Sequence, residues 1–418
     1  MGAYVCGLHL LVLVSLWARS ASGVAPGVIL LSVVPVVLAL RYLLGCVVRP
    51  LGQLDLWVLL YALWSVGSGL LFLQAGNPSQ PAAFIYGVYS FVLPIAGYFA
   101  ARQVSRSQVA LLISTIVLLN AFAIGYGIYM HFARPAYYAD FVTRSFSSSG
   151  ATEDWQFYAR MQSYLGSTSV GYLAACSIVL ATISRSSVKR FLPILALLFT
   201  VGGILSLQRA SMLGLIIALA YLLFVLRSNR GIRMLTVLVF SGAVVYAGAQ
   251  WGASTDPLRD RIASRITEDL VAGLSKFFSE RGYKPALTYL REFPIGVGLG
   301  GTSSAADNAG LLSRPEVADA NFMRIAADTG PIGLLLFLAV VAVAVRVALR
   351  SEHRTAWVSF LIIHFGIMLS TNILDSYYVS QSFWIMLALM AVDADGARST
   401  SAPEPQTCRP HGSIEAPA

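Results

Sequence analysis

The stretch Arg281–Gly333, RGYKPALTYLREFPIGVGLGGTSSAADNAGLLSRPEVADANFMRIAADTGPIG, is the largest polar region between apolar segments that are long enough to cross a bilayer. Its charged side chains include Arg281, Arg291, Asp307, Arg314, Glu316, Asp319, Arg324 and Asp328. Most of the remaining chain is apolar. We therefore expect any chemistry to take place in this stretch, which the flanking helices would hold at the membrane surface.

The composition excludes a soluble protein. Of the 418 residues, 57% are hydrophobic and 12% are charged, and the mean hydropathy is +0.70. Soluble domains carry roughly a quarter charged residues. Runs such as 109–130, 212–226 and 332–345 have few or no charges, which indicates transmembrane helices of roughly 20 residues each. The predicted fold class is an all-α polytopic membrane protein.

The formal net charge of +9 does not indicate nucleic-acid binding, because the basic residues are dispersed among short loops. Three cysteines, Cys6, Cys46 and Cys176, lie in apolar segments, and Cys408 lies in the tail. Their spacing predicts neither a disulfide framework nor a metal site. We expect no cofactor, no metal and no nucleic-acid partner.

Apolar segment lengths predict about twelve membrane spans. They lie near residues 4–18, 26–47, 54–74, 84–101, 109–130, 164–183, 191–207, 210–226, 232–250, 331–349, 355–372 and 377–392. The first segment could instead be a signal peptide ending at SAS-G, but it lacks a positively charged beginning.

The positions of Lys and Arg predict the orientation. Cations recur in alternate short loops, at Arg49, Arg102, Arg106, Arg185, Lys189, Arg190, Arg227, Arg230, Arg233, Arg346, Arg350 and Arg354. The cytoplasmic side carries this excess, so both termini should be cytoplasmic. Residues 1–392 then form a single transmembrane domain whose longer loops, 131–163 and 251–330, lie outside. The second is a large helical loop between the ninth and tenth spans. Residues 393–418 read as a disordered cytoplasmic tail.

Two polar features inside this frame have structural explanations. Glycines at 296, 298, 300 and 301 resemble a nucleotide-binding loop, but no βαβ unit surrounds them. A turn that permits tight backbone packing explains them better. His364 lies in a predicted span, where a hydrogen bond between helices is the expected role.

Several arginines are candidates for binding phosphate. Arg209 lies between two apolar runs, where an arginine either snorkels to lipid headgroups or has a partner or function. A guanidinium offers bidentate and permanently charged recognition of phosphate. Arg160, Arg281, Arg291 and Arg324 are predicted on the same side, although each could also be a solvated loop residue.

Asp319 is the candidate for acid–base chemistry. It precedes the helix that leads into the tenth span, so its structural role would be an N-cap or another polar contact. Its functional role would be a general base or a group that orients an acceptor hydroxyl. Asp328 lies shortly before Gly330-Pro331 and resembles a residue at a helix end.

Three stretches together resemble the O-antigen ligase and O-antigen polymerase superfamily of bacterial envelope glycosyltransferases. They are RMQSYLGSTSVGYLAACSIVLA at 160–181, LSLQRASMLGLIIAL at 205–219, and the segment SERGYKPALTYLREFPIGVGLG followed by DANFMRIAADTGPIGLLLF. The resemblance covers about residues 160–345. Ligases of this superfamily carry a His-Asn pair where this chain has Asp319-Ala320.

The resemblance implies transfer of a glycan from undecaprenyl diphosphate to a hydroxyl, without nucleotide sugars. Arg209 and Arg281 match arginines that hold the donor diphosphate, and Asp319 falls at the catalytic pair. Arg160, Arg291, Asn321 and Arg324 are the further substrate-binding candidates. The partners would be the lipid-linked donor, a glycan acceptor and the bilayer of the inner membrane, together with a flippase and a chain-length regulator.

The Asp319-Ala320 pair favours a polymerase of repeat units over a ligase, which is the runner-up. Two other classes stay open, a multi-span transporter and a non-catalytic envelope assembly protein. Against the transporter, the long outer loop is unusual and no paired broken helices are visible.

Overall fold

A computed structural model describes residues 4, 6–7, 24–44, 51–73, 80–133, 161, 167–206, 209–225, 283–302 and 320–401. Within these ranges the chain is helical, with turns between the helices and no strand. The helices, in chain order, are α1 Val24–Leu43, α2 Gln53–Leu73, α3 Gln80–Gly87, α4 Leu93–Ala101, α5 Arg106–Ala133, α6 Ser167–Ala181, α7 Ser186–Lys189, α8 Leu192–Leu205, α9 Arg209–Val225, α10 Tyr283–Glu292, α11 Asn321–Arg350, α12 Arg354–Met368 and α13 Tyr377–Ser401.

Most of the predicted spans coincide with a helix. Some of these helices are shorter than a membrane span requires. Ten of the twelve predicted segments coincide with a helix or a continuous helical run in the described ranges. By length and hydropathy, four described helical segments can cross a membrane: Gln53–Leu71, Pro81–Ala101, Arg106–Ala133 and Asn321–Arg350. The predicted span 232–250 lies outside the described residues, as does nearly all of 4–18.

The fourth predicted span is a run of α3, a π-helical turn Val88–Val92 and α4. Pro94 lies at the start of α4, where its missing N–H removes one helical hydrogen bond. A single π turn inside an α-helix shifts the side chains that follow it and is frequent at functional sites.

α11 is kinked near its first third. Gly330 has φ +72° and ψ 179°, and Pro331 follows it, so the helix divides into a first segment 321–329 and the apolar segment predicted as the tenth span. The indole Nε1–H of Trp64 donates to the Thr329 carbonyl at 2.8 Å, which gives a hydrogen-bond partner to a carbonyl at the kink. The first segment lies at the end of the bundle that the topology prediction assigns to the outside. We call this the outer end.

The described cations of the short loops gather at the opposite end, which we call the inner end. They are Arg102, Arg106, Arg185, Lys189, Arg190, Arg346, Arg350 and Arg354. A buried network fastens this end, in which the Arg102 Nε lies 2.8 Å from Asp55 Oδ1 and the Tyr98 hydroxyl donates to the same oxygen at 2.6 Å. The predicted alternation of charge therefore corresponds to one physical end of the described helices.

The core of the bundle is apolar and aromatic. α11 packs against α2, and α13 packs against α4. Tyr61 of α2 contacts both Phe337 of α11 and Trp384 of α13, with ring centroids 5.3 Å and 6.2 Å apart. These three side chains are fully buried, so they fix the relative positions of three helices.

Two observations bear on the predictions made for the ends of the chain. The disordered tail was predicted from residue 393, but α13 continues to Ser401, with Asp393 buried against the bundle. The Tyr4 hydroxyl lies 3.1 Å from the Tyr377 hydroxyl, at the start of α13. This contact places Tyr4 at the outer end, so a cytoplasmic N-terminus and an outer position for residue 377 cannot both be right.

Candidate functional site at the outer end

Arg324 is the most deeply buried of the candidate residues. It lies one turn into α11 and is 0% exposed. Its guanidinium carbon lies 4.5 Å from the centre of the Phe91 ring in the π-helical turn, and its Nε lies 3.6 Å from Asp328 Oδ2. A desolvated guanidinium gains from both an aromatic face and a carboxylate. Arg324 was predicted to bind substrate, but in the structure its guanidinium contacts Phe91 and Asp328 inside the bundle.

Asp328 ties α11 to the glycine-rich turn. Its Oδ1 accepts hydrogen bonds from the Thr302 amide at 2.9 Å and the Thr302 hydroxyl at 2.7 Å. The backbone of the turn joins the same helix, because the Val297 and Gly298 amides donate to the carbonyls of Ala327 and Asp328 at 2.9 Å and 3.0 Å. The carboxylate lies next to the kink, as predicted for a residue at a helix end.

The glycines permit this close backbone contact, as predicted. Gly296, Gly298 and Gly300 have φ between +82° and +97°, a region that side chains disfavour. A Cβ added at Gly296 would lie 2.5 Å from the Asp328 carbonyl oxygen. One added at Gly87 of α3 would lie 2.5 Å from the Leu299 carbonyl carbon. The turn is therefore held between α11 and α3, and its glycines serve packing.

The start of α11 is held by Asn321. Its Oδ1 accepts the Leu374 amide at 3.1 Å, which links α11 to the 3-10 turn Ile373–Asp375 before α13. Asn321 is 0% exposed, and its Nδ2 has no hydrogen-bond partner among the described residues. Its position supports a structural role.

Ala320 occupies the N-cap position of α11 and provides no side-chain cap. Its φ of +71° is strained for a residue with a Cβ. The N-cap assignment considered for Asp319 is therefore wrong, because the cap position falls one residue later. Asp319 itself lies outside the described residues, as do Arg160 and Arg281.

Arg209 and Arg291 are found in different settings. Arg209 begins α9 at the outer end, and its side chain lies outside the described set. The start of α9 approaches α6 closely, since a Cβ at Gly171 would lie 2.5 Å from Ser211 Cβ. Arg291 lies in the last turn of α10, with its side chain exposed. Only Asn321 and Arg324 are brought together on one described element, the first segment of α11.

Lys284 was missed by the sequence reasoning. It lies in the first turn of α10, and its side chain is exposed. Among the described lysines and arginines, Lys284, Arg209, Arg291 and Arg324 lie at the outer end. The available signal was its spacing of seven residues from Arg291, which places both on one face of a helix.

His364 has the predicted interhelical hydrogen bond. Its Nδ1 lies 2.7 Å from the Tyr172 hydroxyl of α6, and its ring stacks on Phe383 with centroids 3.8 Å apart. It is fully buried in the bundle. The prediction of a structural role is confirmed.

One described group of His and acidic residues has the spacing of metal ligands, and it lies at the inner end. Glu352, His353 and Asp393 place ligand atoms within 4.8 Å of one another. Asp393 Oδ2 already accepts the Trp357 indole N–H at 3.0 Å and the His353 amide at 3.3 Å. Burial raises the pKa of Asp393, but contacts with the His353 side chain, the Trp357 indole and the His353 amide outweigh burial, so that the pKa lies below its ordinary value. Glu352 pairs with Arg106. These contacts fasten α13 to the start of α12.

The comparison with protein families agrees with the motifs. Residues 194–338 match the family model described as O-antigen ligase. This match supports the resemblance of the chain to the O-antigen ligase and polymerase superfamily. The matched region runs from α8 into α11, so it contains Arg209, Arg281, Arg291, Asp319 and Arg324 and excludes Arg160. A comparison with curated protein sequences gave no match.

The match supports a membrane enzyme that transfers glycans. The apolar helices and the O-antigen ligase match together indicate a bacterial inner-membrane protein. Most of the candidate residues lie between α9 and α11, inside the region that the family model matches.

Proposed function

We propose that this protein polymerises oligosaccharide repeat units carried on undecaprenyl diphosphate into a surface polysaccharide. The observation that carries the proposal is the O-antigen ligase match across 194–338, which contains the outer-end arginines and Asp319. The departure Asp319-Ala320 from the ligase His-Asn pair favours the polymerase.

The reaction requires little beyond positioning and charge. An acceptor sugar hydroxyl attacks the anomeric carbon of the donor, a new C–O bond forms, and the bond to the diphosphate breaks. The hydroxyl proton passes to the Asp319 carboxylate, and the electron pair of the broken bond leaves with the diphosphate. Arg209 and Arg281 stabilise the negative charge that develops on this leaving group. Because the diphosphate is a good leaving group, a carboxylate is a sufficient base.

Purified protein in liposomes, supplied with lipid-linked repeat units, tests the proposal. A polymerase gives a ladder of products on a gel, since each product is a substrate for the next cycle. A ligase gives one transfer to an added lipid or protein acceptor, a possibility kept because the matching family model is described as O-antigen ligase. A transporter gives no new glycosidic bond.

Asp319→Asn separates catalysis from folding. We expect polymer to fall by about 100-fold or more, in the range of a lost general base, while the amount of protein in the membrane stays normal. Ala320 holds the N-cap position, so no loss of stability through capping is expected. A wild-type ladder from both Asp319→Asn and Asp319→Ala, at matched protein abundance, would remove Asp319 from the mechanism.

A further inference from the structure

Three tyrosines form a cluster at the outer end, where α3 and the π-helical turn meet α13. Tyr86 lies in the last turn of α3 and Tyr89 in the π-helical turn, with ring centroids 5.9 Å apart. Tyr89 stacks on Tyr377 at the start of α13, with centroids 5.0 Å apart and ring planes at 17°. The neighbouring Ile85 is 67% exposed and marks the lipid-facing side of α3. The tyrosine cluster, Tyr86, Tyr89 and Tyr377, is therefore packed on α13 and is not part of a lipid-facing aromatic belt.

Two contacts join the tyrosine cluster to the first segment of α11. Phe91 of the same π-helical turn lies 4.5 Å from the guanidinium carbon of Arg324, measured to the ring centre. Leu374, in the 3-10 turn directly before α13, donates its amide to Asn321 Oδ1 at 3.1 Å. The cluster thus lies beside two residues that were predicted to bind substrate.

α13 adds a buried amide next to the tyrosine cluster. Gln381 lies one turn further along α13 than Tyr377, on the same face of the helix. It is 1% exposed, and neither its Nε2 nor its Oε1 has a hydrogen-bond partner among the described residues. A Cβ added at Gly97 would contact this Nε2, so the amide lies between α13 and α4, the helix that continues from the π-helical turn. A buried amide without partners is costly, and a ligand or water would satisfy it.

The chemistry of these side chains fits a sugar ring. The Tyr377 hydroxyl lies 3.1 Å from the Tyr4 hydroxyl, whereas the described residues give the hydroxyls of Tyr86 and Tyr89 no hydrogen bond. Both of these tyrosines are partly exposed. A tyrosine combines an apolar face with a polar tip, and an amide both donates and accepts hydrogen bonds. A sugar ring offers the complement, an apolar C–H face and an edge of hydroxyls.

The tyrosine cluster is separate from the helix that carries Arg209. α9 packs against α6, α8 and α12, whereas the π-helical turn packs against α13 and the 3-10 turn Ile373–Asp375. In the proposed function Arg209 contacts the diphosphate of the donor. The second substrate, the acceptor, needs a different place at the outer end, and the cluster with its uncharged side chains provides one.

We propose that the tyrosine cluster and Gln381 bind a sugar ring of the acceptor glycan. The ring lies against Tyr86 and Tyr89, and the Gln381 amide hydrogen-bonds to its hydroxyls. This inference rests on the proposed function and deepens it, because it assigns an acceptor subsite that contains neither the candidate arginines nor Asp319. The subsite holds the acceptor in place, and its residues exchange no proton with it.

Binding to full-length protein in nanodiscs tests the subsite. The probe is the free repeat-unit oligosaccharide, released from the lipid-linked donor by mild acid. The variant Tyr86→Leu/Tyr89→Leu keeps apolar bulk and removes the aromatic faces and hydroxyls. Its matched control, Tyr126→Leu/Tyr129→Leu, makes the same change in a second i, i+3 pair near the outer end of α5, whose ring centroids are 6.4 Å apart. We expect the Kd to rise about tenfold or more for the cluster variant and less than about twofold for the control.

Gln381→Leu separates binding from folding. Leucine removes a buried amide that has no partner among the described residues, so the melting temperature should stay the same or rise. The Kd for the oligosaccharide should nevertheless rise about tenfold, because the hydrogen bonds to the sugar are lost. An unchanged Kd in Gln381→Leu or in the cluster variant, or an equal rise in the α5 control, would overturn the inference.

A competition experiment distinguishes the acceptor from the donor. Undecaprenyl diphosphate that carries no glycan should leave the oligosaccharide bound, because its diphosphate occupies a different place. Displacement of the oligosaccharide would assign the sugar to the donor and refute the acceptor subsite.

Polymer formation in the same preparation keeps the two proposals distinct. If the wild type binds the oligosaccharide through the tyrosine cluster but makes no polymer from lipid-linked units, the proposed function fails and the sugar-binding cluster stands. If the wild type makes polymer and Tyr86→Leu/Tyr89→Leu binds the oligosaccharide normally, the subsite fails and the function stands.

Discussion

At the scale of single residues, Arg324 shows what a sequence can and cannot reveal. It was considered as a substrate-binding residue or a solvated loop residue, and its complete burial excludes the second alternative. Its surroundings could not be predicted, because Phe91 lies 233 positions earlier in the chain. Asp328 was placed at a helix end from the Gly-Pro that follows, but its bonds to Thr302 depend on the fold of the intervening loop.

The Arg324–Asp328 pair predicts a difference in stability between two substitutions. Asp328→Ala removes the carboxylate nearest a buried guanidinium, and breaking a buried pair costs about 3–5 kcal/mol. Thr302→Val removes only the hydroxyl bond to Asp328 and keeps its amide bond, which costs about 1 kcal/mol. Thermal unfolding in detergent measures both. Equal melting temperatures for Asp328→Ala and the wild type would show that the pair contributes nothing.

At the scale of elements, the lengths of the apolar segments predicted where the helices lie, but not where a helix is interrupted. α2, α5 and α9 begin within three residues of the predicted spans 54–74, 109–130 and 210–226. The π turn Val88–Val92 was not predicted, since the length of an apolar segment does not indicate it; in the structure the turn contacts α2 and α13. α10 lies inside the loop 251–330, which was predicted to be helical, but the bounds of this helix were not predicted, because its pattern is short and its apolar face is defined only by contact with α11.

The kink of α11 gives a test with an internal control. At Gly330, alanine would have an unfavourable φ of +72°, and its Cβ would lie 2.6 Å from the Ile295 backbone. We expect Gly330→Ala to destabilise the protein by about 2 kcal/mol or more, from strain and overpacking together. It should also reduce polymer formation, because the turn and α10 are displaced.

Gly366→Ala is the matched control. Gly366 lies within α12, and a Cβ there would meet nothing within 4 Å. Alanine is favoured over glycine in a helix by about 0.5–1 kcal/mol, so this variant should be equally or more stable. If both variants unfold at the same temperature, the close contact at Gly330 does not constrain the fold.

At the scale of the whole molecule, the short-loop cations and the candidate site lie at opposite ends of the described helices. The inner end carries the short-loop cations and a buried network around Asp55 and Arg102. The outer end carries the first segment of α11, α10 and the start of α9. A lipid-linked donor has its diphosphate at one membrane interface, so an enzyme that uses it needs its cations at that interface.

Cysteine labelling tests this arrangement in spheroplasts. After replacement of Cys6, Cys46, Cys176 and Cys408, a single cysteine at Thr288 should react with an impermeant maleimide, because Thr288 is exposed on α10. A single cysteine at Ser187 in α7, also exposed, should react only after permeabilisation. The reverse pattern would invert the predicted orientation and place the donor site in the cytoplasm.

The N-terminal residues provide the last test, because two lines of reasoning disagree there. The alternation of charge predicts a cytoplasmic N-terminus, yet Arg19 is the single cation in the first predicted loop and fixes this end weakly. The hydrogen bond of 3.1 Å between Tyr4 and Tyr377 is a direct contact, and both rings are largely buried. Tyr377 follows the turn that holds Asn321, at the outer end. We therefore expect an epitope placed before Met1 to bind antibody in intact spheroplasts. Binding only after permeabilisation would show that Tyr4 and Tyr377 are not in contact in the membrane and would restore the cytoplasmic assignment.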